Sequence, residues 1–268
     1  MLIAALFGSF AIALMLGVPV GISLGLSAAI YLFLSDIDLA VVPQFMYAGM
    51  DSFVLLCIPG FVLAGNLMNG GGITDQIVRF GNSLVGHIRG GLGLANVTGS
   101  MIFAGISGTA VAETASIGSV MIPAMRKSGY DAPFAAAVTA AASTVGPIIP
   151  PSVPMIIVGT LTGLSVGKMF LAGAIPGLLL GLGMMLTVYI LARRRNYPKG
   201  SWVGFREVLR SSRGAFWAIL MTAIILYGIV GGVFTPTEAS IVSALYALVV
   251  GLFIYKGFRV KDLPAIML

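Results

Sequence analysis

The chain holds 268 residues, of which 58% are hydrophobic and only 9% charged, with a mean hydropathy of +1.05. Soluble domains carry about 25% charge, so a water-soluble globular fold is excluded. A single cysteine (Cys57) and a single histidine (His87) exclude an intrachain disulfide, a Cys- or His-rich metal cluster and a His-based triad. The 36 Gly and 13 Pro residues point instead to interrupted membrane helices.

The apolar run 2–34 would be about 50 Å long as one helix, too long for one span. Gly17-Val18-Pro19 divides it into spans predicted at 2–16 and 20–34. No basic residue precedes it, which argues against a cleaved signal peptide. The following connection carries Asp36, Asp38 and Asp51 without Lys or Arg, and reads as an external loop. A span is predicted at 53–69. Over 73–89, Ile73, Ile77, Phe80, Leu84 and Ile88 recur at helical spacing among Asp75, Gln76, Arg79 and Asn82, predicting an amphipathic helix on the membrane surface.

Residues 92–125 are apolar and rich in small side chains, with Ser107-Gly108-Thr109 near the middle and basic residues (Arg89, Arg126, Lys127) at both ends. Each half falls short of the roughly 20 residues of a span, so the segment reads as a re-entrant hairpin with Ser-Gly-Thr at its tip. Over 132–163, Pro147, Pro150, Pro151 and Pro154 cannot share one α-helix, so a broken helix is predicted. Further spans are predicted at 169–192, 214–233 and 237–255. Between the first two lie Arg193, Arg194, Arg195, Lys199, Arg206, Arg210 and Arg213 against one acid, Glu207, the pattern of a cytoplasmic loop facing anionic lipid rather than nucleic acid.

Gly17–Tyr31 weakly resembles Gly232–Tyr246. With the basic loops inside, the two copies are inverted, as in many secondary transporters.

Breaks in membrane helices expose backbone that can line a binding cavity. The hairpin tip offers two hydroxyls and little bulk, and the break offers carbonyls that proline leaves without donors. Such neutral oxygens suit a weakly held monovalent cation; the alternative is small-residue helix packing and a structural kink. Glu113, inside an apolar segment, reads either as a cation or proton partner or as facing polar protein within the hairpin. Asp131 reads as an N-cap, Glu238 as a first-turn residue, and Asn66 and Asn96 as polar links between helices. His87 reads as interfacial and Cys57 as a small apolar residue. No nucleotide-binding loop and no enzyme constellation is found, leaving coupling to an ion gradient.

Ser100-Met-Ile-Phe-Ala-Gly-Ile-Ser-Gly-Thr-Ala-Val-Ala-Glu113, Ile122-Pro-Ala-Met125, Ser128-Gly-Tyr-Asp131 and Gly146-Pro-Ile-Ile-Pro-Pro-Ser-Val-Pro154 resemble the large membrane (M) subunit of tripartite ATP-independent periplasmic (TRAP) transporters. Phe61–Gly65, Gly86–Gly91 and Phe234–Ala239 fit the same pattern.

The resemblance implies an all-α polytopic membrane protein with an inverted-repeat, elevator-type fold in the bacterial inner membrane. It implies Na⁺-driven import of a C4-dicarboxylate, sialic acid or similar carboxylate, with a small membrane (Q) subunit and a periplasmic substrate-binding (P) protein as partners. It divides the chain into scaffold helices (1–72), an arm helix (73–91), a transport part (92–192), a basic cytoplasmic loop (193–213) and the first scaffold helices of an incomplete second repeat (214–268). By motif match, Ala104, Ser107, Gly146, Ile149 and Pro151 would hold Na⁺. Substrate would lie near Ser107, Gly108, Thr109, Pro150, Pro151 and Ser152. A second hairpin, with a second Na⁺ site and the other half of the substrate site, would follow residue 268. Asn66 departs from a Glu common in the family at that position. The rival readings are an inverted-repeat carboxylate carrier working without a binding protein and, from another class, a channel or membrane scaffold.

Overall fold

A computed structural model describes residues 2–267. Thirteen α-helices follow one another: α1 (Leu2–Met15), α2 (Val20–Leu34), α3 (Val41–Met50), α4 (Cys57–Gly70), α5 (Ile73–Val85), α6 (Gly91–Ser107), α7 (Ala110–Lys127), α8 (Ala132–Ser143), α9 (Val153–Thr162), α10 (Val166–Arg194), α11 (Phe205–Val230), α12 (Pro236–Val249) and α13 (Leu263–Met267). No strand occurs among the described residues. The chain divides into two compact units, 1–52 and 53–268.

In the first unit α1 packs on α2 across a corner at Gly17, whose φ of +78° is open to glycine and strained for most side chains. Apolar helices appear where the two spans were predicted, within a residue or so of the expected limits, and at 14 and 15 residues they are shorter than the helices long enough to cross a membrane. The aspartate-bearing connection differs from expectation, because residues 41–50 form α3. Pro43 sits in the first turn of α3, where its missing N–H costs no helical bond.

The second unit is organised around α6. Thirteen of its 17 residues are buried, and α4, α5, α7, α8, α10 and α11 all touch it. A helix apolar on every side is stable only when so enclosed. α7 returns beside α6 after the turn at Gly108-Thr109, placing Gly99 against Ile117. The broken helix is present as α8, an unwound stretch 144–152, and α9. Alone, α8 and α9 would be about 18 and 15 Å long, well short of a bilayer core.

Gly173, Gly177 and Gly181 form a stripe on α10 that admits the unwound stretch and α6. A side-chain carbon at Gly173 would stand 2.6 Å from the Ile148 carbonyl oxygen. One at Gly177 would meet Ile149 at the same distance. α4 lies along α12, and Thr237 Oγ1 of α12 donates to the carbonyl of Phe53 in the turn just before α4 (3.0 Å).

α12 opens with a capping box in which Thr235 and Glu238 satisfy each other's backbone N–H groups, so Glu238 is the first-turn residue expected. Just before it, Gly232 adopts φ +69°. This left-handed glycine leading to a helix start at proline repeats the local form of the Gly17 corner.

α11 begins at Phe205 rather than near 214, so Arg206, Arg210 and Arg213 are helical and not loop. Their spacing keeps them on an exposed face, where the charges remain solvated, while Glu207 pairs with Arg79 of α5. The amphipathic helix is present as α5, whose Ile73, Ile77 and Gly81 are buried; it packs against α6 and α11. Four helical segments, Phe53–Gly70, Val166–Arg194, Phe205–Val230 and Pro236–Tyr255, are long and apolar enough to cross a membrane.

Candidate functional site

The turn between α6 and α7 is seated directly on the unwound stretch. Gly108 takes φ +60°, ending α6 with its N–H bonded to the Ala104 carbonyl (3.1 Å). Its own carbonyl accepts the Val153 N–H at the start of α9 (3.2 Å). A side-chain carbon at Gly108 would stand 2.5 Å from the Pro151 carbonyl oxygen. Both the conformation and the close approach therefore require glycine at the tip.

The unwound stretch is held by its own bonds. Val145 O accepts from both Ile148 N and Ile149 N (2.9 Å each), and Ser152 Oγ donates to the Pro147 carbonyl (2.5 Å). Ser152 also caps α9 by accepting the Met155 N–H. The Pro150–Pro151 peptide is cis. The carbonyls of Gly146, Ile149 and Pro151 accept no hydrogen bond among the described residues. In a helix the Gly146 carbonyl would be answered by residue 150, a proline with no N–H. The N–H groups of Val153 and Met155, which would answer Ile149 and Pro151, donate to the Gly108 carbonyl and Ser152 Oγ instead.

The residues expected to bind Na⁺ thus come together in part. Ser107 is buried, with its hydroxyl 3.4 Å from the Thr109 carbonyl, and Ala104 is buried one turn earlier with its carbonyl engaged in the cap. Pro150, Pro151 and Ser152 are buried as well; from the hairpin, Gly108 meets Pro151 and Ser152, and Thr109 meets Gly146.

Gly65 and Asn66 of α4, Ser107, Thr109 and Ser116 border a cavity of about 30 Å³, room for one water or one small ion. Its polar lining is three hydroxyls and the Asn66 amide beside the apolar Val62, Phe103 and Ala112, and the free carbonyls of Gly146, Ile149 and Pro151 do not border it. Among the described residues no group of three or more His, Cys, Asp or Glu gathers to hold a metal.

Other predicted residues divide. Asn96 does link helices, donating from Nδ2 to Thr139 Oγ1 at 2.7 Å. Asn66 does not: it is exposed and borders the small cavity instead. Asp131 occupies the N-cap position of α8 but makes no capping bond. Pro133 stands at the second helical position and offers no N–H, and the carboxylate is drawn to Tyr197 Oη (2.6 Å) and Arg195 Nη1 (3.3 Å).

Tyr130, Phe134 and Tyr197 stack beneath this pair. Burial pushes the Tyr130 phenol above its usual range. His87 packs edge-on against Trp202, with ring centroids 4.7 Å apart, and Cys57 is buried. Glu113 is fully buried, its carboxylate against Gly146 of the break and facing the Ser100 hydroxyl of the hairpin, with no hydrogen bond closed to either oxygen among the described residues.

Sequence reasoning did not find Thr222. From α11, its hydroxyl donates to the Gly105 carbonyl in the last turn of α6 (2.9 Å). Only a contact spanning 117 residues makes it visible. On the opposite side, Gly65 of α4 lies against the Ser107 backbone.

Comparison with known families settles the kinship. The family described as "Tripartite ATP-independent periplasmic transporter, DctM component" matches residues 7–268. The chain belongs to this family. It is 45% identical over 245 residues to the C4-dicarboxylate TRAP transporter large permease protein DctM of Vibrio cholerae, covering 91% of this chain and 54% of that protein.

It is 43% identical over 267 residues to the sialic acid TRAP transporter large permease protein SiaM of the same organism, covering 99% and 62%. To the 2,3-diketo-L-gulonate TRAP transporter large permease protein YiaN of Escherichia coli it is 42% identical over 255 residues, covering 95% and 59%. The chain thus spans between about half and three fifths of the length of these relatives. They are named as permeases of transporters, and the family resemblance read from the hairpin and proline motifs holds.

Proposed function

We propose that this DctM-family chain forms part of a Na⁺-coupled importer of an organic acid in a bacterial inner membrane, working by an elevator mechanism with a small membrane subunit and a periplasmic binding protein. The observation that carries the reading is the seating of the hairpin tip on the unwound proline stretch, Gly108 against Pro151 and Thr109 against Gly146, where the Gly146, Ile149 and Pro151 carbonyls accept no hydrogen bond among the described residues. Ala104, Ser107, Gly146, Ile149 and Pro151 would hold Na⁺, which supplies positive charge at the junction. Gly108, Thr109, Pro150 and Ser152, with Ser107 and Pro151, would line the near side of the substrate site. The hydroxyls and the helix end at Thr109 suit a carboxylate.

The relatives named above are called permeases for a C4-dicarboxylate, a sialic acid and a diketo-gulonate, all of them carboxylates. The elevator reading draws support from the small-residue contacts of the hairpin with α4 and α11, at Gly65 and at Gly105–Thr222, which offer little to interlock during sliding.

The test is uptake of radiolabelled carboxylate into proteoliposomes holding the full permease and its small subunit. Uptake should require external Na⁺, an inside-negative potential and added binding protein. Uptake indifferent to the binding protein would favour a self-sufficient carboxylate carrier, and uptake indifferent to Na⁺ would remove the coupling assignment.

A further inference from the structure

Glu113 is an ionisable side chain sealed inside the second unit. Its exposure is 0%, and neither carboxylate oxygen has a hydrogen-bond partner among the described residues. Ser100, which faces it from α6, is likewise fully buried with its hydroxyl unpartnered.

The carboxylate points at the break. Where a side chain at Gly146 would begin, Glu113 Oε2 lies 2.5 Å away, the Ser143 carbonyl oxygen 3.3 Å and the Thr109 carbonyl carbon 3.4 Å. Oxygens from α7 and the end of α8 therefore meet beside Gly146 and beside Thr109 of the hairpin tip, with the Ser100 hydroxyl of α6 facing the same carboxylate.

Among the described residues no cation pairs with this carboxylate, and Arg79 of α5, which also packs on α7, is paired with Glu207. α6, α8 and the stretch 144–152 contain no Lys or Arg, and the basic residues of α7, Arg126 and Lys127, lie at its far end. A buried carboxylate without a partner is relieved either by a proton or by a cation from outside the chain, and the hydroxyl and carbonyl oxygens beside it are what a cation needs. One carboxylate, one hydroxyl and carbonyls make a hard, singly charged oxygen set, and a divalent ion would call for more anionic ligands.

We infer that Glu113, assisted by Ser100, is an anionic ligand and counter-charge for a monovalent cation held where the hairpin tip meets the helix break. This rests on the Na⁺ coupling proposed above and adds to it a charged ligand among the neutral oxygens. Loading then leaves the junction electrically neutral, the condition under which a buried site moves most cheaply through an apolar surround.

The test is the unfolding midpoint of the purified full permease as NaCl replaces choline chloride at constant ionic strength. A ligand that binds only the folded state raises that midpoint as its concentration passes the dissociation constant. Wild type should be stabilised by Na⁺. Glu113→Gln, which keeps shape and removes charge, should need about tenfold more Na⁺ or greater for the same rise. Ser100→Ala should need several-fold more.

Should Glu113→Gln fail to unfold cooperatively, Glu113→Asp serves, since its shorter carboxylate should also need several-fold more Na⁺. A response like wild type in Glu113→Gln, or in Glu113→Asp where that variant stands in, overturns the inference and leaves Na⁺ coupling intact. A wild type indifferent to Na⁺ overturns both.

Discussion

The Glu113 carboxylate occupies the space that a side chain at Gly146 would need, 2.5 Å from where its first carbon would sit. The two residues are 33 positions apart, one in α7 and one in the unwound stretch that follows α8. Their approach fastens the hairpin to the break at a second point beyond Gly108–Pro151. Gly146→Ala should therefore push these elements apart, costing about 1–3 kcal/mol as overpacking does. A fall in unfolding midpoint together with a higher Na⁺ requirement is expected; a variant matching wild type in both would show that the contact is dispensable.

Gly108→Ala tests the tip itself. It forces an alanine into φ +60° and drives its side chain toward the Pro151 carbonyl oxygen. The backbone conformation alone costs about 1–2 kcal/mol, and the contact adds to it. Transport by this variant should fall at least tenfold in a proteoliposome assay while the protein still inserts in the membrane.

Thr222 ties α11 to the last turn of α6 through its bond to the Gly105 carbonyl. If the hairpin slides past α11 during transport, that bond belongs to one end of the stroke. Thr222→Val removes it with little change of shape, at about 0.5–1.5 kcal/mol. The population should shift away from the conformation described here. Disulfide cross-linking of a Gly105→Cys/Thr222→Cys pair should accordingly slow when transport substrate and Na⁺ are present.

Asn96 and Thr139 form a buried cross-helix bond at 2.7 Å, while Asn96 Oδ1 has no partner among the described residues. Thr139→Val leaves the Asn96 amide with only its weak contact to Met125 Sδ, and should lower stability by about 1–3 kcal/mol. Replacing both residues with apolar ones of similar size should recover part of the loss, which a double-mutant cycle on unfolding midpoints would measure.

Much of this arrangement was legible in the sequence. The Gly17 corner, the Ser107-Gly108-Thr109 tip and the proline break are local events, where backbone chemistry decides the outcome whatever packs around it. The capping box of Thr235 and Glu238 is local in the same sense. Charge misled where it was read as loop: Arg206, Arg210 and Arg213 lie on one solvated helix face, and Asp36, Asp38 and Asp51 flank α3 rather than forbidding it.

Asp131 failed as a cap because its partner, Tyr197, lies 66 residues away. The contacts that assemble the candidate site, Glu113 with Gly146 and Thr222 with Gly105, are also long-range. They depend on the path of an unwound backbone and on which helices enclose α6, which no periodicity records.

The central claim is that the hairpin tip and the helix break form one Na⁺-coupled site, and Ser107 is the buried hydroxyl where they meet. The direct measurement is the Na⁺ concentration giving half-maximal carboxylate uptake in proteoliposomes, compared between wild type and Ser107→Ala. A clear rise in that concentration, with the protein inserted and folded, is the predicted result. An unchanged Na⁺ curve in Ser107→Ala would contradict the account.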